Sequence, residues 1–315
     1  MADNRDNKFL GAMIGCALGD AIGEMATQYE SRAELLKAVS EADLLYYTDD
    51  TAMSLAMAES LLEKAEVDSQ HLGDTFRRYY HNEPRRGYGL GPPKVFHSVE
   101  HGGITYKEAA RLLYDGQGSY GNGAAMRVTP LALYYCDAGD LYHKAELSAE
   151  VTHSNSIGID GAAVMARAVS ESAKMNPRRP FSPQSYLKKL ESFARTAEIR
   201  SPLKLLKTLL DDRIRTRHAV AKLGHDVIVQ ESLPYALYCF LRNPHSFIEC
   251  LLAAILYGGD SDTIGAMAGA LSGAYLGVEA IPVRWCRKLE NRQLIENYAR
   301  ELAARTLHDE SIALP

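Results

Sequence analysis

Two segments of this chain carry a glycine at every fourth position, and this spacing is the strongest constraint on the fold. The glycines are Gly11, Gly15, Gly19 and Gly23 in the first segment and Gly265, Gly269, Gly273 and Gly277 in the second. Residues four apart share one face of an α-helix, and each glycine costs a helix interior about 1 kcal/mol relative to alanine. The stripes therefore predict a compensating gain, which is a very close approach of two helices. The alternative is that the glycines are incidental. Dimerisation in a membrane is disfavoured because the segments are short and carry charge.

Helix-forming residues dominate the rest of the chain. Ala, Leu, Met, Glu and Lys fill most long segments, and alternating runs of Val, Ile and Thr are scarce, so an all-α fold is predicted. The periodicity predicts helices over residues 8–24, 50–65, 70–81, 106–114, 123–136, 145–153, 157–174, 184–196, 218–223, 231–242, 246–257, 262–277 and 286–306. The Pro/Arg-rich residues 176–180 are predicted to form a loop. Nothing resembles an interdomain linker, so residues 1–315 are predicted to form a single domain.

Composition limits the classes of function and the location of the protein. With 46% hydrophobic residues the chain can bury a sizeable core, and its net charge of −5 argues against direct DNA binding. A compact anionic ligand, which needs only a few local donors, is still compatible with that charge. The 5 cysteines are scattered, as is typical of reduced thiols in an intracellular protein. The polar N-terminus shows no signal peptide, and no apolar span of about 18 residues is expected anywhere in the chain, so neither a transmembrane helix nor membrane association is expected. A cytoplasmic protein is predicted, with a nuclear pool if the source is eukaryotic.

Two acidic clusters in opposite halves of the chain combine aspartates with threonines. Residues 48–51 read Thr-Asp-Asp-Thr and residues 260–263 read Asp-Ser-Asp-Thr, and each cluster opens a predicted helix. One such pair alone would most simply be a helix cap. Two clusters brought together would repel strongly unless a cation lay between them, and carboxylates with hydroxyls suit hard ions such as Mg²⁺ or Mn²⁺. Asp20, inside the first striped helix, is either solvated or tied to this site, because burying an unpaired carboxylate is costly.

Two glycine-rich turns indicate a binding site for an anionic ligand. Residues 116–123 read Gly-Gln-Gly-Ser-Tyr-Gly-Asn-Gly and lead into a predicted helix, and residues 86–91 read Arg-Gly-Tyr-Gly-Leu-Gly. Such turns offer backbone N–H groups to phosphate oxygens, while Tyr120 could stack on a base and Asn122 could bond to a hydroxyl or a base edge. The missing Gly-Lys-Ser/Thr ending excludes a Walker loop, and the missing strand excludes a dinucleotide fingerprint. The first loop alone is equally compatible with an ordinary turn.

A lone histidine, His153, precedes a predicted helix that contains glycine. A histidine in this position is most often a capping or hydrogen-bonded core residue, and a direct catalytic role is the less favoured alternative. No Ser/His/Asp set or Cys/His pair has supporting context, so nucleophilic catalysis is disfavoured.

These motifs together resemble the ADP-ribosylglycohydrolase family, the relatives of the dinitrogenase reductase-activating glycohydrolase. The matching segments are residues 11–23, 46–53, 118–127, 152–154 and 258–263. Residues 86–89, 118–120 and 233–242 most resemble the ADP-ribosylserine hydrolase branch, which also acts on poly(ADP-ribose) and O-acetyl-ADP-ribose. The resemblance implies a single compact orthogonal helical domain with a central binuclear metal cleft.

The resemblance also implies a role for individual residues. Two Mg²⁺ ions, with Mn²⁺ as a substitute, would be held by Thr48, Asp49, Asp50, Asp260, Asp262 and Thr263. Asp260 and Asp262 are also candidates for proton transfer. The branch uses a glutamate after the first glycine helix as a mobile gate, but its usual spacing falls on Thr27, which cannot serve. A short insertion places Tyr29 and Glu30 there instead, so Glu30 is predicted to be catalytic, with Glu24 as the alternative.

Contacts to ADP-ribose follow from the same resemblance. They are implied at Gly87, Tyr114, Gly118, Ser119, Tyr120, Gly121, Asn122 and His153. Tyr114 and Tyr120 would enclose the adenine, and His153 would lie near the distal ribose. The chain departs from the branch at His225 and Asp226, where the branch has an Asn-Gly pair. That difference leaves the rim of the cleft, and the choice of protein substrate, in doubt.

The implied reaction is hydrolysis at the anomeric carbon of ADP-ribose attached to a serine oxygen. Hydrolysis of ADP-ribosylarginine with the same metals is one alternative. A catalytically silent ADP-ribose binder is another, although the intact acidic clusters argue against it. The expected partners are ADP-ribose, ADP-ribosylated proteins and poly(ADP-ribose), and a monomer is expected.

Overall fold

The chain folds into helices joined by short turns. The computed structural model describes residues 2–211 and 214–312. In chain order the α-helices of this part are α1 (Ala2–Ala26), α2 (Arg32–Glu41), α3 (Asp49–Lys64), α4 (Ser69–Asn82), α5 (Gly91–Gly102), α6 (Tyr106–Arg111), α7 (Leu113–Gly116), α8 (Gly123–Met126), α9 (Thr129–Tyr134), α10 (Leu141–Ala149), α11 (Ser156–Lys174), α12 (Pro183–Phe193), α13 (Ala197–Asp211), α14 (Thr216–Leu223), α15 (Val229–Arg242), α16 (Phe247–Ile255), α17 (Ser261–Leu276), α18 (Val283–Lys288) and α19 (Arg292–Ile312). A 3₁₀ turn covers Val278–Ala280, and across these residues only isolated β-bridges are formed, without a strand. The all-α prediction is therefore confirmed.

The glycine stripes join α1 and α17 as an antiparallel pair at the centre of the fold. The facing residues are Gly11 with Gly273, Gly15 with Gly269, and Gly19 with Gly265. A Cβ atom added to any of these glycines would overlap the carbonyl oxygen of its partner. The predicted close approach is confirmed, because only glycine lets the two backbones touch. The antiparallel arrangement also places the start of α17 beside the end of α1, where a Cβ on Gly23 would overlap Ser261.

Helix α1 is also the most membrane-like segment of the described chain. Arg5–Ala26 is 22 residues long, and its most apolar 18-residue window has a mean hydropathy of 1.4, which is enough by length and composition to cross a membrane. The prediction that no span is apolar enough is therefore wrong for this helix. Its most apolar window is 83% buried, and the helix packs against α17 and α19, so its apolar surface is used inside the protein.

Most predicted helices are present, and the differences have local causes. The predicted helix over 123–136 is divided at Arg127 and Val128, because Pro130 occupies the first turn of α9, where its missing N–H costs nothing. The predicted helix over 286–306 is interrupted because Leu45 exchanges backbone hydrogen bonds with Lys288 and Glu290. Helices α2, α5 and α13 were not predicted. The loop predicted for residues 176–180 is confirmed.

Candidate active site

The first acidic cluster is fixed to the glycine pair by Asp20, a buried aspartate of α1. The carboxylate of Asp20 accepts hydrogen bonds from the backbone N–H groups of Thr48, at 2.9 Å, and Thr51, at 3.0 Å. The hydroxyls of the same threonines lie 2.8 Å and 2.6 Å from its two oxygens. Burial raises the pKa of Asp20, and these donors act in the opposite direction. The sequence left two alternatives for Asp20, a solvated side chain or one tied to the acidic clusters. The structure supports the second alternative.

The second acidic cluster meets the first at Asp50. Asp50 is buried, and its Oδ2 atom lies 3.2 Å from the hydroxyl of Thr48 and 3.4 Å from that of Thr263. Thr263 is 213 residues away along the chain, and the α1–α17 contact brings it here. Asn122 connects the centre to the glycine-rich loop, because its amide donates to Asp260 Oδ2 at 2.5 Å. The two clusters thus form one acidic centre.

The electrostatics of the acidic centre favour a cation. Burial and then repulsion from neighbouring aspartates raise the pKa of Asp49, Asp50 and Asp260 above the ordinary range. Asp50 Oδ1 is buried and has no hydrogen-bond partner among the residues that the structure describes. An unsatisfied buried carboxylate oxygen is costly, and carboxylates held together are relieved by a positive charge between them.

The residues of the centre fit a hard divalent cation by their chemistry. Carboxylate and hydroxyl oxygens are the ligands that Mg²⁺ and Mn²⁺ take, and the unpartnered oxygen of Asp50 is free to serve as one. Within residues 2–211 and 214–312, however, no three His, Cys, Asp or Glu side chains already surround one point as a finished metal site. A cation would therefore have to draw the side chains together, and hydroxyls would complete the donor set.

A cleft of about 440 Å³ opens from the acidic centre between the two glycine-rich turns. Its walls contain many of the residues predicted to bind ligand or metal, namely Asp49, Gly87, Tyr114, Ser119, Gly121, Asn122, His153, Asp260, Asp262 and Thr263. The predicted residues Gly118, Tyr120, Thr48 and Asp50 are not among the residues that line this cleft. The rim is apolar, with exposed side chains of Leu90, Tyr114 and Val227.

The loop before α8 is shaped by its own hydrogen bonds. Gly118 has a φ of +70°, and a Cβ there would lie 2.8 Å from the backbone nitrogen of Asn155, so only glycine fits the turn. The N–H of Gly121 donates to Ser119 Oγ at 3.2 Å, and the N–H of Asn122 donates to Val227 O at 2.9 Å. Asn122, which was predicted to contact ligand, lies in the cleft wall, and its amide donates to Asp260; the ligand contact stays a prediction.

A second cavity, of about 770 Å³, adjoins the cleft. It shares Gly87 and Asp262 with the cleft, so the acidic centre borders both spaces. Its walls also contain Glu24, whose pKa is raised by burial and by the nearby Asp262. Glu30 is exposed in the turn between α1 and α2, and it is not among the described residues that line either cavity. The structure therefore brings Glu24 to the acidic centre and leaves Glu30 outside it, and the role of either glutamate stays a prediction.

Two residues without an assigned role also support the site. Arg127 is fully buried in the cleft wall, and its guanidinium lies 4.4 Å from the centre of the Phe76 ring. In the sequence, Arg127 could have been identified as a basic residue within an otherwise apolar run. His225, where the sequence departs from the branch pattern, accepts the backbone N–H of Asp260 through its carbonyl oxygen at 2.9 Å. Its backbone therefore holds the second cluster.

Comparison with known proteins identifies the class to which this protein belongs. The sequence profile described as ADP-ribosylglycohydrolase matches residues 1–311. The chain therefore belongs to the ADP-ribosylglycohydrolase family, and it is a glycosidase-type hydrolase. The family predicted from the motifs is confirmed.

Particular relatives match over almost their whole length. The chain is 34% identical to ADP-ribosylhydrolase ARH3 of Mus musculus, covering 94% of this chain and 91% of the mouse protein. It is also 34% identical to ADP-ribosylhydrolase ARH3 of Homo sapiens, covering 94% and 93%. A solved structure titled ADP-ribosylglycohydrolase-related protein complex superimposes with a TM-score of 0.73 at 26% identity, covering 96% of this chain and 99% of that one.

Proposed function

We propose that this protein is an Mg²⁺-dependent ADP-ribosylhydrolase that releases ADP-ribose from serine residues of modified proteins. The observation that carries the proposal is the acidic centre, which borders two adjoining cavities and is built from two distant parts of the chain. A reaction at that centre can therefore have the ADP-ribosyl group on one side and the protein on the other. The relatives named ADP-ribosylhydrolase and the serine-branch motifs support the choice of substrate.

The cleft offers a suitable surface for each part of ADP-ribose. Tyr114 is 58% exposed at the rim and presents an aromatic face for the adenine. In the turn at residues 118–121, the N–H groups of Gly118 and Gly121 donate to Leu113 O and Ser119 Oγ, so Ser119 and Tyr120 would supply the backbone donors to the diphosphate. The distal ribose then reaches the acidic centre, and its anomeric carbon faces the second cavity. A modified serine and the chain around it would occupy that larger space.

The chemistry expected is cleavage of the bond between the anomeric carbon and the serine oxygen, with water adding to the carbon. Thr48, Asp49, Asp50, Asp260, Asp262 and Thr263 would hold two Mg²⁺ ions, with Mn²⁺ as a substitute. When bound, the ions would position the ribose hydroxyls and polarise oxygen at the reacting carbon. Carboxylates of the centre would stabilise the positive charge that develops on the ribose.

Proton transfer to the leaving serine oxygen needs an acid on the side of the second cavity. Glu24 lies there, and Glu30 would have to move to reach it. Single-turnover rates of Glu24→Gln and Glu30→Gln distinguish the two, because loss of a general acid slows the chemical step by about 10²–10⁴-fold. The variant that retains the wild-type rate is not the acid.

The experiment that tests the proposal compares two peptides, one carrying ADP-ribose on serine and one carrying it on arginine. Released ADP-ribose is measured with Mg²⁺ and after treatment with EDTA. We expect release from the serine-linked peptide, which is lost with EDTA and in Asp49→Asn and Asp262→Asn. Asp140→Asn, at an exposed position, is the matched control and should retain activity.

The other outcomes each identify a different function. Release from only the arginine-linked peptide would replace serine with arginine as the substrate. ADP-ribose binding measured by calorimetry, without turnover of either peptide, would indicate a silent binder. Activity that persists in Asp262→Asn would contradict the assigned centre. We also propose that the protein acts on poly(ADP-ribose) and O-acetyl-ADP-ribose, which the same release assay would test. A monomeric state and a cytoplasmic location are further proposals, which gel filtration and cell fractionation would test.

A further inference from the structure

A chain of three buried polar side chains leads from the interior to the cleft wall. Arg127 Nη2 donates to Thr152 Oγ1 at 2.8 Å, and Thr152 Oγ1 lies 2.8 Å from His153 Nδ1. All three residues are buried, with exposed fractions of 1%, 0% and 5%. The second acceptor of the guanidinium is the carbonyl of Ser148, at 3.2 Å. All three side chains contribute to the cleft wall, and His153 lies there next to Gly121 and Gly123.

The direction of these hydrogen bonds follows from which groups can donate. A guanidinium has donors only, so Thr152 Oγ1 must accept from Arg127. The threonine hydroxyl has a single proton, and His153 Nδ1 is its acceptor among the described neighbours. If His153 Nδ1 were protonated instead, the hydroxyl proton would be buried without an acceptor, which disfavours that form by roughly tenfold or more.

The other ring nitrogen of His153 lies beside the glycine-rich loop that forms part of the cleft wall. A Cβ atom on Gly123 would lie 3.1 Å from His153 Nε2, and one on Gly121 would lie 3.7 Å from it, so both glycines leave room for the ring. We propose that Arg127 and Thr152 are positioning residues, which hold His153 as the neutral tautomer protonated on Nε2 and so present a fixed N–H donor to an oxygen of the ligand.

Two further observations agree with this assignment. Burial, and then the charge of Arg127, lowers the pKa of His153 to about 3, so the ring is neutral at neutral pH. The Nε and Nη1 atoms of Arg127 are buried and have no hydrogen-bond partner among the described residues. Burying these two donors without acceptors costs free energy. The hydrogen bond from Nη2 to Thr152 is one of two hydrogen bonds that the guanidinium makes among the described residues.

The inference rests on the proposed function only for the identity of the ligand, which is ADP-ribose. The tautomer itself can be measured in the protein without ligand. Long-range ¹H–¹⁵N correlation spectra of ¹⁵N-histidine-labelled protein distinguish a protonated from an unprotonated ring nitrogen, and His153→Gln identifies the signals. We expect an unprotonated Nδ1 and a protonated Nε2. A protonated Nδ1, or an even mixture of tautomers, would overturn the proposal.

Two variants of Thr152 test whether the relay sets the tautomer. Thr152→Val removes the hydroxyl with little change of shape, and Thr152→Ser restores it. We expect a mixture of tautomers and about fivefold weaker ADP-ribose binding in Thr152→Val, from the loss of one ordered hydrogen-bond donor, and nearly wild-type behaviour in Thr152→Ser. A valine variant with an unchanged spectrum and unchanged affinity would refute the role of Thr152. If the wild type failed to bind ADP-ribose, the proposed function would fail while the spectrum would still decide the tautomer.

Discussion

Replacing Gly19 with alanine should separate α1 from α17. A Cβ at Gly19 would overlap the carbonyl group of Gly265 and would lie 2.9 Å from the backbone nitrogen of Ala266. Backbone atoms cannot rotate out of the way, so the helices themselves must move. Overpacking of this kind costs about 1–3 kcal/mol, and the upper end applies when the obstacle is backbone. Alanine recovers about 1 kcal/mol of helix propensity, so we expect a net destabilisation of about 2 kcal/mol.

Urea denaturation followed by circular dichroism measures that difference directly. Gly102→Ala is the matched control, because Gly102 is also helical but its added Cβ would meet only Ile104, at an ordinary 3.9 Å. The control should be neutral or slightly stabilised, whereas Gly19→Ala should unfold at lower urea. Equal stability of the two variants would refute the conclusion that the stripes exist for close packing, since propensity alone would then explain both.

Three further perturbations follow from the site and the core. Asp20→Asn replaces one acceptor oxygen with an amide group that faces the N–H and O–H donors of Thr48 and Thr51. Urea denaturation should therefore show a loss of stability of about 2–4 kcal/mol, and the release assay should show slower release of ADP-ribose. Tyr114→Ala should weaken ADP-ribose binding about tenfold by calorimetry, from the loss of stacking, and an unchanged affinity would remove Tyr114 from the adenine site. For Lys8, burial lowers the pKa to about 8 from 10.5, so between these values the unfolded state binds more protons and stability rises with pH. The stability of the wild type relative to Lys8→Met should therefore increase from pH 8 to pH 10 in parallel denaturation curves, and a flat difference would contradict the lowered pKa.

The sequence was sufficient for the helical class and for the central pair of helices, because periodicity and glycine spacing are local signals. It failed where a distant contact decides the structure. The break before α19 depends on backbone bonds from Leu45, which no local pattern contains. Helix α5 was missed because it begins with Gly-Pro-Pro, a sequence typical of turns that also suits a helix start.

For the site, residue types predicted the members better than their roles. The two acidic clusters were identified from the sequence alone, and the structure shows that the striped helices bring them together. Asn122 was predicted to contact ligand. Its hydrogen bond to Asp260 joins residues far apart in the sequence, so it could be identified only from the structure. The same limit applies to Arg127, whose importance depends on burial and on the orientation of Thr152. The choice between Glu24 and Glu30 was open because a loop length does not fix where a side chain points.

The order in which α1 and α17 leave the ribosome has a consequence for biosynthesis. The apolar helix Arg5–Ala26 is complete long before Ser261–Leu276 exists, so the surface meant for α17 has no partner during most of translation. Such an exposed surface invites aggregation or capture by chaperones. For the same reason a chain truncated before residue 260 retains Asp20, Asp49 and Asp50 but lacks the other half of the centre. Activity can therefore appear only in nearly full-length protein, which makes an incomplete product inert.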